Sequence, residues 1–158
     1  LNMLNHHGFK EASDPVFIQS FDSVTLKNLR YQHQTRLRLI QLIGENRWKL
    51  SDTDFTYLKS VKGLNEVAKY ADGIGPWMNQ LVTGIDFSGN VQITNLLKNA
   101  REKDLLIHPY TFRADRLPGY VSTFDELLDV FFNEVGVDGI FTDFPDMAVR
   151  YLERKSSN

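Results

Sequence analysis

The chain has no cysteine, which excludes a disulfide scaffold, a thiolate zinc site and a cysteine nucleophile. That absence leaves the compartment open, because secreted proteins can also dispense with cysteine. No apolar run comes near the roughly 18 residues that a membrane-spanning helix needs, and no basic-then-apolar stretch opens the sequence. The 18 basic and 20 acidic side chains are interspersed without a Lys/Arg block and leave a formal charge of −2, so nucleic acid and anionic membranes are poor partners on electrostatic grounds. Internal repeats and low-complexity tracts are also lacking. What is present is a folded composition, 42% apolar and 12% aromatic over 158 residues, enough to bury the core of one domain.

Apolar runs bounded by turn signals alternate with segments of helical spacing. Strands are expected at Val16–Ser20, Leu37–Ile43, Leu105–His108 and Gly139–Thr142, and Tyr70–Pro76 reads as a short strand running into a turn. Helices are expected after the Asp22-Ser23 cap, with Val24, Leu26 and Leu29 turned inward, and over Asn90–Lys103, with a stripe of Ile93, Leu96, Leu97 and Ala100. A third runs from the Thr123/Glu126 capping box to Gly136, and a fourth over Asp146–Arg154. Residues 45–70 are charged and carry shorter helical patterns, with Ser51 and Asp54 as cap residues. Leu1–His7 stops at Gly8 without any capping residue before it; it reads as the last turns of a helix that begins upstream, with a frayed tail as the alternative. Strands separated by helices need crossover connections, which predicts an α/β fold with a mostly parallel sheet.

In such folds ligands sit beyond the carboxyl ends of the strands, so the residues after each apolar run are the candidates: Gln19 to Asp22, Gln41-Leu42, Asp72 to Pro76, His108 to Arg113, and Thr142 to Asp146. His108 is a base or metal-ligand candidate, but no second ligand stands at ligand spacing, and a hydrogen-bonded structural histidine is the plainer reading. Arg113 can hold a phosphate through two hydrogen bonds, with an ion pair to Asp115 as the equal competitor. Asp143 and Asp146 read either as metal ligands or as helix-start acids. Asp52 and Asp54 lack the glycine and terminal glutamate of a calcium loop, and Gly73-Ile74-Gly75 lacks the third glycine of a dinucleotide loop. No nucleophile elbow, phosphate loop or metal triad is complete.

The same rim segments carry a resemblance. QSFD at 19–22, YADGIGPW at 70–77, IHPYTFR at 107–113 with DRLPGY at 115–120, and VDGIFTDFPD at 137–146 together resemble glycerophosphodiester phosphodiesterases of the bacterial periplasmic type. The resemblance runs in order through nearly the whole chain. It implies the C-terminal half of a TIM (β/α)8 barrel, so that residues 1–158 form the C-terminal part of a single barrel domain. It also implies hydrolysis of a small-molecule glycerophosphodiester to glycerol 3-phosphate and an alcohol, a Ca2+ or Mg2+ ion, two catalytic histidines, and a periplasmic or secreted location.

The family's His-Arg-Gly and His-Asp motifs do not occur here, and no strand carries Glu-x-Asp or Glu-x-Lys. The divalent metal is therefore expected to be bound by residues missing from this chain, which by itself would be inactive. It would supply the substrate-side wall, its partner being the N-terminal half in the same polypeptide or a second chain. The resemblance assigns Gln19 and Phe21 to the substrate wall, Tyr110, Phe112 and Phe144 to a glycerol or head-group pocket, and Gln19 and Arg113 to polar or phosphate contacts. Two other readings compete with it: a self-contained doubly wound α/β module that binds a small phosphorylated ligand without catalysis, and a degenerate barrel kept as an interaction protein. A doubly wound module requires helices on both faces of its sheet.

Overall fold

The computed structural model describes residues 1–157. After the short helix α1 (Asn2–His6), strand β1 (Phe17–Ser20) leads into α2 (Ser23–Tyr31). The Asp22 carboxylate starts α2 by accepting from the Val24 and Thr25 amides, both at 3.1 Å, which satisfies donors that have no partner within the helix. Leu26 is buried and Leu29 packs against the core, whereas Val24, expected to face inward, is exposed; at i, i+3 spacing the buried stripe starts at Leu26.

Strand β2 (Arg38–Ile43) is followed by a 3-10 turn at Asn46–Trp48 and two short helices, α3 (Phe55–Leu58) and α4 (Val61–Val67), capped by Asp54 and Ser60. Strand β3 (Gly73–Pro76) comes next. The expected helix over Asn90–Lys103 is corrected at its start. Residues 82–93 form an antiparallel hairpin of β4 (Val82–Ile85) and β5 (Val91–Ile93), and α5 (Asn95–Arg101) begins only at the Thr94 cap. The Asp86 carboxylate accepts the amides of Ser88 and Asn90, and this side-chain turn competes with helix for the same backbone donors.

Strand β6 (Leu106–Ile107) precedes α6 (Phe124–Asp129), which continues through a π turn at Val130–Val135. Thr123 accepts the Glu126 amide at 3.1 Å, and Gly136 ends the segment with φ of 75°, a left-handed conformation that glycine adopts without steric cost. Helix α7 (Pro145–Ser156) closes the order.

The four strands form one parallel sheet in the order β1-β2-β3-β6. The expected last strand, Gly139–Thr142, reduces to a single bridge between Phe112 and Thr142. Its segment still runs beside β6: the Asp138 amide donates to Ile107, that of Phe141 to Pro109 and that of Phe112 to Phe141. In a flat sheet the first and fourth strands stand about 14 Å apart, at roughly 4.8 Å per pair. Here the Phe17 ring of β1 lies 4.7 Å from the ring of His108, just past β6, and His108 lies 6.1 Å from Phe141. The sheet is curled so that these side chains meet on its concave face.

Helices cover the other face alone. Leu39 and Ile43 of β2, Ile74 of β3 and Ile107 of β6 join the core formed with Leu64, Val67, Ala100 and Phe131, while Ile40 and Leu42 lie outside that cluster. A doubly wound sheet would be covered on both faces, so that alternative does not describe this molecule. Glycine permits a close approach of β3 to β6: a Cβ on Gly73 would stand 2.6 Å from the Leu106 carbonyl oxygen. Among the described residues β1 pairs with β2 only. A curled parallel sheet with helices outside is one half of a (β/α)8 barrel.

Candidate functional site

The carboxyl ends of the strands converge on two adjoining hollows. The inner one, about 410 Å³, lies over the concave face and is lined by Gln19, Phe21, Leu42, Tyr110 and Phe141 among others. The outer one, about 420 Å³, is lined by Trp77, Met78, Arg113, Arg116 and Leu117 among others. Trp48, Tyr110 and Thr111 border both.

Buried polar contacts hold these walls. Gln41, fully buried on β2, donates from Nε2 to the carbonyls of Phe21 (3.1 Å), Leu42 (3.0 Å) and Ser20 (3.3 Å), and its Oε1 accepts from the Tyr70 hydroxyl at 2.8 Å. This straps the end of β1 to β2 and fixes where Phe21 sits. Phe21 meets Tyr110 edge to face at 5.6 Å, and the Tyr110 hydroxyl donates to the Ile43 carbonyl at 2.8 Å. Burial raises the pKa of that phenol further from neutrality, so it stays a protonated donor. Trp48 and Trp77 stand edge to face at 5.4 Å. Gln80 accepts the Trp77 amide at 3.1 Å and donates to the Gly44 carbonyl and Glu45. That bond from Gln80, with the Lys59 ammonium at 3.0 Å, holds the Glu45 carboxyl below its ordinary range.

Of the residues expected from the sequence, the structure brings together Gln19, Phe21 and Tyr110 in the inner hollow and places Arg113 in the wall of the outer one. Two do not join them. Phe112 is fully buried against Phe131 at 4.8 Å in the helix-facing core, and Phe144 packs beside Phe124 at 6.1 Å against the same core. Arg113 commits three of its five N–H donors to carboxylates. Its Nε and Nη2 donate to the two oxygens of Asp115 at 3.0 and 2.7 Å, and Nη1 donates to Asp143; the bond to Asp115 raises the pKa of the guanidinium further. The ion-pair reading of Arg113 is the one the geometry displays.

His108 is buried on the concave face between Phe17 and Phe141, its side chain making no hydrogen bond among the described residues. Burial pushes its pKa down, which makes it a neutral filler of the barrel interior and not the hydrogen-bonded histidine expected. Sequence reasoning passed over Trp48, Trp77, Gln80 and Arg116. The signal for the first two was available, since they are the only tryptophans in the chain and each follows a strand end.

The strand-end carboxylates do not fit a divalent ion. Asp22 caps α2, Glu45 is engaged by Gln80 and Lys59, and Asp143 by Arg113; among the described residues no three His, Asp or Glu side chains converge. Glu102-x-Asp104 lies where α5 ends, away from the strand ends.

The fold and the rim site together define part of a (β/α)8-barrel protein whose ligand face lies at the carboxyl ends of its strands. Residues 3–147 match the glycerophosphoryl diester phosphodiesterase family. The chain belongs to that family. It is 32% identical to a glycerophosphodiester phosphodiesterase of Haemophilus influenzae, aligned over 97% of this chain and 46% of the relative, and 28% identical to one of Treponema pallidum over 96% and 47%. The chain thus spans about half the length of these curated relatives. Its fold is similar to that of a crystal structure of a putative glycerophosphoryl diester phosphodiesterase from Silicibacter pomeroyi, with a TM-score of 0.58 and 18% identity over 97% of this chain and 42% of that one.

Proposed function

We propose that the protein carrying this chain hydrolyses glycerophosphodiesters, adding water across the bond between phosphorus and the alcohol oxygen to give glycerol 3-phosphate and the free alcohol. This chain supplies the substrate-side wall. The observation that carries the reading is the pair of hollows joined at Tyr110 and Trp48: a diester has two arms on either side of one phosphorus, and two compartments with a shared border accommodate that shape. Gln19, Phe21 and Tyr110 hold the glycerol arm. The divalent ion and the acid and base, each of which lowers the barrel enzyme's barrier by stabilising charge or moving a proton, come from the part of the barrel that faces this sheet.

The test is release of glycerol 3-phosphate from glycerophosphocholine by the full-length protein, with and without a chelator. Turnover that stops on chelation and returns on adding Ca2+ or Mg2+ is expected, and the isolated chain should give none. A full-length protein that releases nothing with either ion would sink the proposal, as would turnover by the isolated chain.

A further inference from the structure

We propose that Arg116 is a specificity-determining residue, and that the outer hollow receives the alcohol arm of the substrate and favours alcohols bearing an anionic group. This rests on the hydrolase reading above and adds to it the identity of the preferred alcohol. The two hollows differ in charge. The inner one is lined by Gln19, aromatic rings and leucines without a charged side chain, which suits the uncharged glycerol arm. The outer one has two guanidiniums in its wall and no carboxylate.

Those two cations are not equivalent. Arg113 spends three donors on Asp115 and Asp143, and displacing either carboxylate would forfeit bonds already made. Arg116 forms no ion pair or side-chain hydrogen bond among the described residues, while its neighbour Asp115 is held two-handed by Arg113. Arg116 therefore keeps its planar fork of donors for a carboxylate or phosphate. The Trp48 and Trp77 rings, which line the same hollow, supply apolar contact for the carbon skeleton of the alcohol. An alcohol with only an ammonium group would meet the same guanidinium as a like charge.

Glycerophosphoserine and glycerophosphoethanolamine differ by one carboxylate, so they isolate this contact. In the full-length protein kcat/KM should be higher for the serine ester. Arg116→Gln should lower the serine-to-ethanolamine ratio by about two- to fivefold, the range for an exposed ion pair, with an unchanged melting temperature as the folding control. A wild-type ratio of one or less, or an unchanged ratio in Arg116→Gln, overturns the assignment. Wild-type protein that hydrolyses neither ester overturns the hydrolase reading instead, and binding then decides the cleft. The serine ester should quench a tryptophan signal that weakens in Trp77→Phe and in Arg116→Gln; no quench, or an equal quench by both esters, overturns the assignment there too.

Discussion

The strap between Gln41 and Tyr70 offers the sharpest test of how the site is held. Both side chains are buried, the Tyr70 hydroxyl donates to Gln41 Oε1 at 2.8 Å, and Gln41 Nε2 serves the carbonyls of Ser20, Phe21 and Leu42. Tyr70→Phe removes one hydroxyl and leaves a buried amide oxygen without a donor, at a cost of about 1–3 kcal/mol. Gln41→Leu leaves the Tyr70 hydroxyl without an acceptor and costs about as much again, since the carbonyls lose their donor at the same time. At about 2 kcal/mol, a domain of this size should melt about 4–8 °C lower.

The double variant Gln41→Leu/Tyr70→Phe replaces both partners with apolar groups, and in a thermal or urea melt it should recover at least about 1 kcal/mol relative to the sum of the single changes. Additivity within about 0.5 kcal/mol would refute the strap, because residues sharing no interaction simply add. The kinetic consequence separates the two partners further. Gln41→Leu releases the Phe21 carbonyl and should raise KM in the full-length protein, whereas Tyr70→Phe leaves those bonds in place and should change KM less.

Three further outcomes are expected. Burial lowers the His108 pKa in the folded state below its unfolded value of about 6.5, so as pH falls the unfolded chain takes up the proton first. Stability is then full above about pH 6.5 and declines as the pH drops from there through the folded pKa; denaturant midpoints at pH 7.5 and 5.5 should differ in the wild type and differ less in His108→Asn. Gly73→Ala forces a methyl to 2.6 Å from the Leu106 carbonyl oxygen, where the backbone itself has to move, and should cost about 1–3 kcal/mol or more. Gly119→Ala, with open space around it, should stay within about 0.5 kcal/mol; equal melting points for these two variants would refute the close approach of β3 and β6. Asp22→Ala removes the cap of α2 and should cost about 0.5–2 kcal/mol in the same melts.

How much of this was legible in the sequence depended on whether the signal was local. The apolar runs of β2, β3 and β6, the Asp22 and Thr123 caps and the Gly136 stop all follow from residues within a few positions of one another, and the alternation of strand and helix implies a parallel sheet. The hairpin at 82–93 was missed because its turn is made by one side chain, Asp86, binding its own backbone, against a helical periodicity downstream that is real but starts later. The rim segments located the site region for the same local reason, since strand ends are where a parallel sheet exposes its polar residues.

Which of those rim residues face one another was decided only by the curl of the sheet. Tyr110 faces the concave side and Phe112, two residues on, lies in the core, although regular strand alternation would give both the same face, a departure that the local sequence does not reveal. Arg113 lies at the rim, but its ion pair with Asp143, thirty residues later, is a contact across the fold. The same holds for Trp48 and Trp77, which neighbouring sequence does not bring together: the crossover from β2 and the end of β3 carry them to one wall. Hydrophobic pattern and turn chemistry determine what each segment becomes; pairing, curvature and charge neutralisation between distant segments determine which side chains remain to meet a substrate.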